Sequence, residues 1–176
     1  MIIQLTKKLA DEMKMNVSKT DFTNENQLFC WHANIFKMGR KKCVIVMNNV
    51  TRYNFMLYGL VKKDFTNFEE LVKENIKTNL LCDEIDLEIV ESYMSKLGDV
   101  QYSSTSDRSI LSQMNDMIFM IDHYFYHETE RGNAISLYDL NRKLNDTIMT
   151  KLPLYYPYKM MKTELHEFYH RINHKS

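Results

Sequence analysis

The sequence predicts an α+β domain in which an antiparallel β-meander precedes a mainly helical remainder. Apolar and polar residues alternate along residues 29–35, which is typical of a strand with one buried face. Residues 43–47 are apolar on both faces and indicate a central strand that is covered on two sides. From residue 67 onward, apolar residues recur every three or four positions, as they do in amphipathic helices. We therefore expect residues 1–66 to form mainly sheet and residues 67–176 to be mainly helical.

Chain length and composition fit one such domain. The chain has 176 residues, of which 44% are apolar and 26% charged, and these values are close to the globular average. No apolar run approaches the ~18 residues of a membrane-spanning helix, and the N-terminal lysines follow a short apolar run, unlike the order in a secretory signal. Three cysteines without a C-x-x-C motif fit a reducing compartment. We expect a single cytoplasmic domain, residues 1–176, with an added N-terminal strand, a later short strand, no membrane contact and no cofactor.

Each element of the sheet half has a local signal. Gly39 supplies the first turn of the meander because glycine adopts backbone conformations that other residues resist, and Asn48 with Asn49 favours the second turn. The predicted elements are a strand at residues 1–5, a short helix begun by Thr6, a loop at 16–27, and strands at 29–35, 43–47 and 53–60.

The helical half is divided by capping residues, since Asn, Asp and Ser side chains accept hydrogen bonds from the free N–H groups of a first turn. Ser136 with Asp139 three residues later resembles a capping box, and Gly98 is a helix stop. The predicted helices begin at Asn67, at Asp83 or Asp86, at Ser106, at Ser136 and after Pro157, with a short strand at residues 100–103.

Charge is segregated along the chain although the formal net charge is zero, with 23 basic and 23 acidic residues. Residues 26–63 contain seven basic residues and no acidic one, whereas residues 64–91 contain nine acidic and two basic residues. Two interpretations remain open. Either the basic segment attracts a polyanion through its lysines and arginines, or the acidic segment packs beside it and cancels its field.

The first interpretation is our leading hypothesis: a non-enzymatic protein that binds a macromolecule, nucleic acid or protein, through basic hairpin turns. Trp31, Tyr53 and Tyr58 interleave with the basic residues, as in stacking platforms for single-stranded nucleic acid, although an aromatic core gives the same pattern. Arg108 follows a Ser/Thr-rich stretch that leads into a helix N-terminus, where either anion binding or simple capping is expected. The candidate contacts are Lys37, Arg40, Lys41, Lys42, Arg52 and Arg108.

An H-E-x-x-H motif at residues 166–170 supports an alternative function, a zinc-dependent hydrolase. His166 and His170 share a helix face and can hold one Zn²⁺, with Glu167 as general base. His174 lies ~12 Å from His166 along a continuous helix and cannot join them. A second pair, His123 and His127, has the same spacing, which an ordinary polar helix face explains equally well. A third hypothesis is a protein-interaction module or homodimer whose acidic and basic segments pair between partners.

Six stretches carry a family resemblance. They are W-H-A-N-I-F at 31–36, R-K-K at 40–42, M-N-N-V-T-R-Y at 47–53, Y-G-L at 58–60, R-S-I-L-S-Q-M-N-D at 108–116, and L-N-R-K-L-N-D-T at 140–147 continuing to Y-P at 156–157. In this order they resemble an uncharacterised bacterial family of small proteins described as a domain of unknown function. The resemblance therefore gives no information about activity. Ile148 and Leu154 stand where that family usually has Pro and Gly. The last stretch is also similar to the C-terminal end of some transposases, which hints at mobile-element biology.

Overall fold

The structure, a computed structural model, describes residues 1–22, 24–105 and 107–173. These residues form an α+β fold, as predicted. The strands are β1 (Ile2–Leu5), β2 (Cys30–Met38), β3 (Lys41–Asn48), β4 (Asn54–Leu60) and β5 (Gln101–Ser104). The helices are α1 (Lys7–Glu12), α2 (Lys62–Thr66), α3 (Phe68–Cys82), α4 (Leu87–Ser95), α5 (Arg108–Glu130), α6 (Leu137–Asn145) and α7 (Pro157–Asn173), and Gln27–Phe29 form one 3-10 turn.

The strands make one sheet in the order β4-β3-β2-β1-β5. Strands β2, β3 and β4 form the predicted antiparallel meander. Strand β1 lies between β2 and β5 and runs parallel to both, which makes the sheet mixed. The short terminal strand is therefore an interior strand, and β4 and β5 are the edges.

Both faces of the sheet are covered, which confirms the prediction from residues 43–47. Val44 and Val46 point toward a core formed with helices α3, α4 and α7. Cys43, Ile45 and Met47 point toward a second core, on the side of α5 and α6. Strand β3 therefore contributes side chains to both cores and contacts the helical layers on both sides of the sheet.

The helix starts agree with the capping analysis in part. Ser136 caps α6 as predicted, its Oγ accepting a hydrogen bond from the N–H of Asp139 at 3.2 Å. Helix α5 is capped by Asp107, whose carboxylate accepts from two backbone N–H groups at 2.8 and 3.1 Å. The predicted cap, Ser106, lies outside the described residues. Thr6 precedes α1, but its hydroxyl donates to Asn34 at 3.0 Å and does not cap the helix. Helix α2 was not predicted.

Two asparagines of α6 protect the edge strand β4. The Asn141 side-chain oxygen accepts from the N–H of Met56 at 2.9 Å. The Asn145 amide accepts from the N–H of Asn54 at 2.8 Å and donates to the carbonyl of Asn54 at 2.7 Å. These amides satisfy backbone groups that an edge strand would otherwise expose to another chain.

The two turns of the meander lie at opposite ends of the sheet, since β3 joins them and its eight residues extend for about 25 Å. We call residues 37–42, with Lys62 and Lys63 of α2, the hairpin end. We call residues 48–53 the turn end. Residue Lys42 pairs with Leu60 at the last position of β4, so α2 starts beside the hairpin.

Candidate functional sites at the two ends of the sheet

The hairpin end carries exposed cations. Lys37, Arg40 and Lys41 are all exposed, around a tight turn made by Gly39 at φ 57°. Lys62 and Lys63 are exposed on the adjacent first turn of α2. Within the described residues, none of these five side chains forms an ion pair at 4.0 Å or less. These five residues are therefore the candidate contacts on the positively charged hairpin surface that the sequence predicts.

Lys42 is a different case from its neighbours. It lies directly across from Lys37 in the β2–β3 register, and it forms a 2.6 Å ion pair with Glu12 of α1. Its ammonium also lies 5.9 Å from the Phe65 ring. A cation already paired with a carboxylate is a poorer phosphate contact, so Lys42 is a weaker candidate than its exposed neighbours.

Within the described residues, the acidic segment (residues 64–91) forms no direct ion pair with the basic segment (residues 26–63). The acidic side chains have other partners: Glu69 pairs with Lys73 at 2.6 Å, Glu91 with Lys77 at 3.8 Å, and Asp83 accepts from the Tyr53 hydroxyl. The second interpretation of the charge segregation, internal pairing of the two blocks, has no ion pair to support it here.

Arg52 does not belong to the hairpin end, because it lies in the turn at the opposite end of the sheet. Its backbone has φ 59°, and its Nε donates to the Gln113 side-chain oxygen at 2.6 Å. The Nη1 atom is buried and has no hydrogen-bond partner in the part of the chain that the structure describes. Burial lowers the pKa of Arg52, partly offset by the nearby Asp107 carboxylate. Arg52 is thus part of a half-buried polar network and is separated from the exposed cations.

Arg108 is exposed in the first turn of α5, where the sequence suggested an anion site. The free N–H groups of Ser109 and Ile110 already donate to the carboxylate of Asp107. The protein's own side chain thus fills the position of an anion, as the capping alternative requires.

The predicted aromatic platform is wrong for two of its three residues. Trp31 and Tyr53 are fully buried, and the Trp31 Nε1 donates to the Tyr93 hydroxyl at 3.2 Å. Tyr58 is 40% exposed and packs beside Phe125, with ring centroids 5.4 Å apart. The alternation of aromatic and basic residues reflects an aromatic core on one side of the sheet, which was the open alternative.

The turn end contains a polar cavity that the sequence analysis did not identify. Residues Ser103, Gln4 and His32 are register partners on three adjacent strands, and their side chains form a row across one sheet face. The Ser103 hydroxyl accepts from the N–H of Thr20 at 3.2 Å and donates to the Ser18 carbonyl at 3.1 Å, which holds the preceding loop beside this row. The cavity is lined by Gln4, Lys19, Thr20, Asp21, Phe22, Gln27, His32, Asn49 and Asp107.

The floor of this cavity is a hydrogen-bonded amide cluster. The Asn49 NH₂ group donates to Gln4 at 2.9 Å and to Gln27 at 3.0 Å. The Asn49 oxygen lies 2.7 Å from Nδ1 of His32. His32 is fully buried, and among the described residues its Nε2 has no hydrogen-bond partner. The sequence gives no signal for this cluster, because the residues that surround His32 are distant from it in the chain.

One comparison with known proteins identifies a family. Residues 2–160 match the family described as a domain of unknown function, DUF6933. The chain belongs to this family. No curated protein and no solved structure gives a significant match. The family match spans both ends of the sheet and stops before residues 166–170, so the H-E-x-x-H motif lies outside the DUF6933 domain.

The histidine pairs lie on two separate helices of the chain. His166 is half-buried and His170 is exposed on α7, whereas His123 and His127 lie on α5 with their Nε2 atoms 3.1 Å apart. Among the described residues, no three His, Cys, Asp or Glu side chains are grouped so as to hold a metal ion. His174 lies outside the described residues. The zinc hydrolase hypothesis stays a prediction without a third protein ligand in the described part.

The three cysteines are free thiols, with Cys30 and Cys43 buried and Cys82 partly buried. Burial raises the pKa of Cys30 to about 11, so its thiol is protonated at neutral pH. Cys30 is therefore a small buried side chain with little nucleophilic character. Within the described residues, no helix combines the length and the apolar character needed to cross a bilayer.

Proposed function

We propose that the protein is a non-enzymatic nucleic-acid-binding protein that contacts phosphates through its hairpin end. The observation that carries this proposal is the exposure of Lys37, Arg40 and Lys41 around one turn, without an ion pair among the described residues. Lys62 and Lys63 extend the same end. Lys42 is paired with Glu12, and Arg52 lies at the other end of the sheet, so neither is assigned a phosphate contact.

The proposal explains how a chain with zero net charge attracts a polyanion. Screening limits electrostatic attraction to about 8–10 Å at physiological salt, so the local cluster matters more than the total charge. Each phosphate that a lysine or arginine contacts releases condensed counterions, and binding weakens steeply as salt is raised. Because Trp31 and Tyr53 are buried, the protein offers few aromatic rings on which bases could stack. We therefore expect binding with little sequence preference.

The test is a charge-reversal experiment with a matched control. The test variant carries Lys37→Glu, Arg40→Glu and Lys41→Glu. The control carries Lys96→Glu, Lys151→Glu and Lys162→Glu, three exposed lysines away from the hairpin, and changes the net charge by the same amount. Binding of a labelled DNA duplex and a labelled single-stranded RNA is followed by fluorescence anisotropy over a range of salt concentrations.

We expect the wild type and the control to bind with a clear salt dependence, and the test variant to lose most of its affinity. The slope of log K against log salt should become shallower by roughly 0.9 for each lost phosphate contact on duplex DNA. Circular dichroism of both variants shows whether the fold is retained. Equal loss of affinity in both variants, or no salt-sensitive binding by the wild type, would overturn the proposal.

A further inference from the structure

The groove between helices α5 and α6 contains a histidine pair that the proposed function does not use. It has a volume of about 480 Å³, and both His123 and His127 line it. We propose that these two imidazoles chelate one divalent transition-metal ion, with Zn²⁺ as the reference ion. The pair shares no residue with the hairpin end, so this site is independent of the proposed function.

Helix α5 places the two histidines on one face and brings their Nε2 atoms together. Residues four apart on an α-helix are neighbours on its surface. Here the ring centroids of His123 and His127 lie 4.2 Å apart, and the two Nε2 atoms lie 3.1 Å apart. Both side chains are exposed, so an ion can reach the pair from solvent.

The distance between the two nitrogens is one that a shared metal ion requires. Imidazole nitrogens bind Zn²⁺ at about 2.0–2.1 Å, and neighbouring ligands of a tetrahedral or octahedral ion subtend about 90–110°. Two nitrogens on one ion are therefore roughly 2.8–3.4 Å apart. The observed 3.1 Å lies inside this range, so the rings need only small rotations to bind one ion.

The hydrogen bond between the two rings occupies the position that the ion would take. One Nε2–H faces the lone pair of the other Nε2, since two N–H groups cannot face each other. For both nitrogens to bind one ion, the donating ring moves its proton from Nε2 to Nδ1, which leaves both imidazoles neutral. The ion then takes the place of the shared proton, with both lone pairs directed at it.

An anion is a weaker fit to the histidine pair itself. The Nε2 proton between the rings is already used in their mutual hydrogen bond, so an anion would have to break that bond to gain a donor. Arg131 and Lys143 also line the groove and could attract an anion without the histidines. Inorganic phosphate is therefore a separate probe in the test.

The charged side chains around the pair are compatible with a dication. Arg131 lies 3.6 Å from Glu128 in an ion pair, and the Lys143 ammonium lies 4.5 Å from the centroid of the Tyr124 ring. Both cations are exposed, so solvent and salt screen their repulsion of the ion. Within the described residues, no third His, Cys, Asp or Glu joins the pair, and the other positions of the ion are left for water.

The histidines of the H-E-x-x-H motif supply a matched control. His166 and His170 have the same spacing on α7, but His166 is half-buried, and the His170 ring lies against Tyr169 with centroids 6.2 Å apart. Replacing these two residues removes the same number of imidazoles from another helix. A metal ion bound on α5 should be unaffected by that change.

The test uses the full chain without an affinity tag and three probes: zinc chloride, magnesium chloride and inorganic phosphate. Long-range ¹H–¹⁵N spectra follow the ring nitrogens of each histidine. We expect Zn²⁺ to shift the Nε2 signals of His123 and His127 together and in a saturable way. Mg²⁺ prefers oxygen ligands and should move neither signal.

Variants made in a His166→Ala/His170→Ala background assign the site by calorimetry with Zn²⁺. The background itself should keep the saturable shift at His123 and His127. In it, His123→Ala or His127→Ala leaves a single imidazole on α5 and should lower zinc affinity by more than about tenfold. The hairpin triple variant should bind Zn²⁺ normally, which separates this site from the proposed phosphate site.

Any of three results contradicts the proposal. The first is a zinc titration that leaves the His123 and His127 signals in place. The second is undiminished zinc affinity after His123→Ala or His127→Ala in the control background. The third is a saturable shift of the pair with phosphate and none with Zn²⁺, because the groove would then be an anion site.

Discussion

The two ends of the meander use the same chain element, a β-turn next to an arginine, in opposite ways. At the hairpin end, the turn depends on the conformational freedom of Gly39, and Arg40 beside it is exposed. At the turn end, Asn48 is fully buried and organises the turn, and Arg52 is half-buried against Gln113. The difference shows that neighbouring structure, and not residue type, decides whether an arginine is available to a partner.

The largest contrast is expected between the two turns themselves. The Asn48 oxygen accepts three hydrogen bonds from Val50 and Thr51, and its NH₂ group donates two to Leu28 and Cys30. Asn48→Ala leaves buried backbone groups without partners and should lower the free energy of unfolding by about 3 kcal/mol. Gly39→Ala has open space for its Cβ but needs a left-handed backbone, and should lower it by about 1 kcal/mol.

Denaturant unfolding of both variants measures this contrast. Asn48→Asp is a useful intermediate, because it keeps the three accepted bonds and loses the two donated ones. A larger loss of stability in Gly39→Ala than in Asn48→Ala would contradict the view that the turn end is the more ordered of the two.

The two arginines should differ by a smaller amount. Arg52→Ala removes the bond to Gln113 and the packing of a half-buried side chain, and should lower the free energy of unfolding by about 1–2 kcal/mol. Arg40→Ala should change it by less than about 0.5 kcal/mol, since the side chain is exposed. Equal effects in thermal unfolding would mean that Arg52 is not part of a supporting network.

The smallest effect is a pH dependence confined to the turn end. Burial lowers the pKa of His32 in the folded protein below the unfolded value of about 6.5. Below that pH the unfolded chain binds more protons than the folded protein, so His32 should make stability fall as pH decreases from about 6.5 toward its folded pKa. Above about 6.5 this contribution is constant.

Urea unfolding at a series of pH values measures the effect. His32→Gln should flatten the dependence between neutral and mildly acidic pH, whereas Arg40→Ala at the hairpin end should keep it. An unchanged slope in His32→Gln would show that His32 is not held neutral by its surroundings.

Local pattern was enough to predict most of the secondary structure. The alternation in residues 29–35 and the double-sided run at 43–47 correspond to β2 and β3, because side-chain periodicity follows directly from backbone geometry. Helix α2 was missed, since its five residues are too few to show a period. The parallel pairing of β1 with β2 and β5 depends on long-range contacts that no local pattern reports.

The candidate sites were less accessible to such reasoning. The sequence proposed Lys37, Arg40 and Lys41 as candidates because a basic block without acidic residues is visible in the sequence. It grouped Arg52 with them, although the length of β3 separates these residues in space. The sequence did not predict the hydrogen-bonded cluster at His32, because that cluster depends on Asn49 and, through Asn49, on Gln4 and Gln27.

By itself the sequence determined the α+β class, the meander, the major helices and the segregation of charge, since these follow from residue spacing along one chain. Only the tertiary structure decided which charges stay exposed and that a buried histidine lines a polar cavity. The physical reason is that exposure and hydrogen-bond satisfaction depend on which distant segments pack together. The same packing leaves Arg40 in solvent and encloses Arg52 beside Gln113.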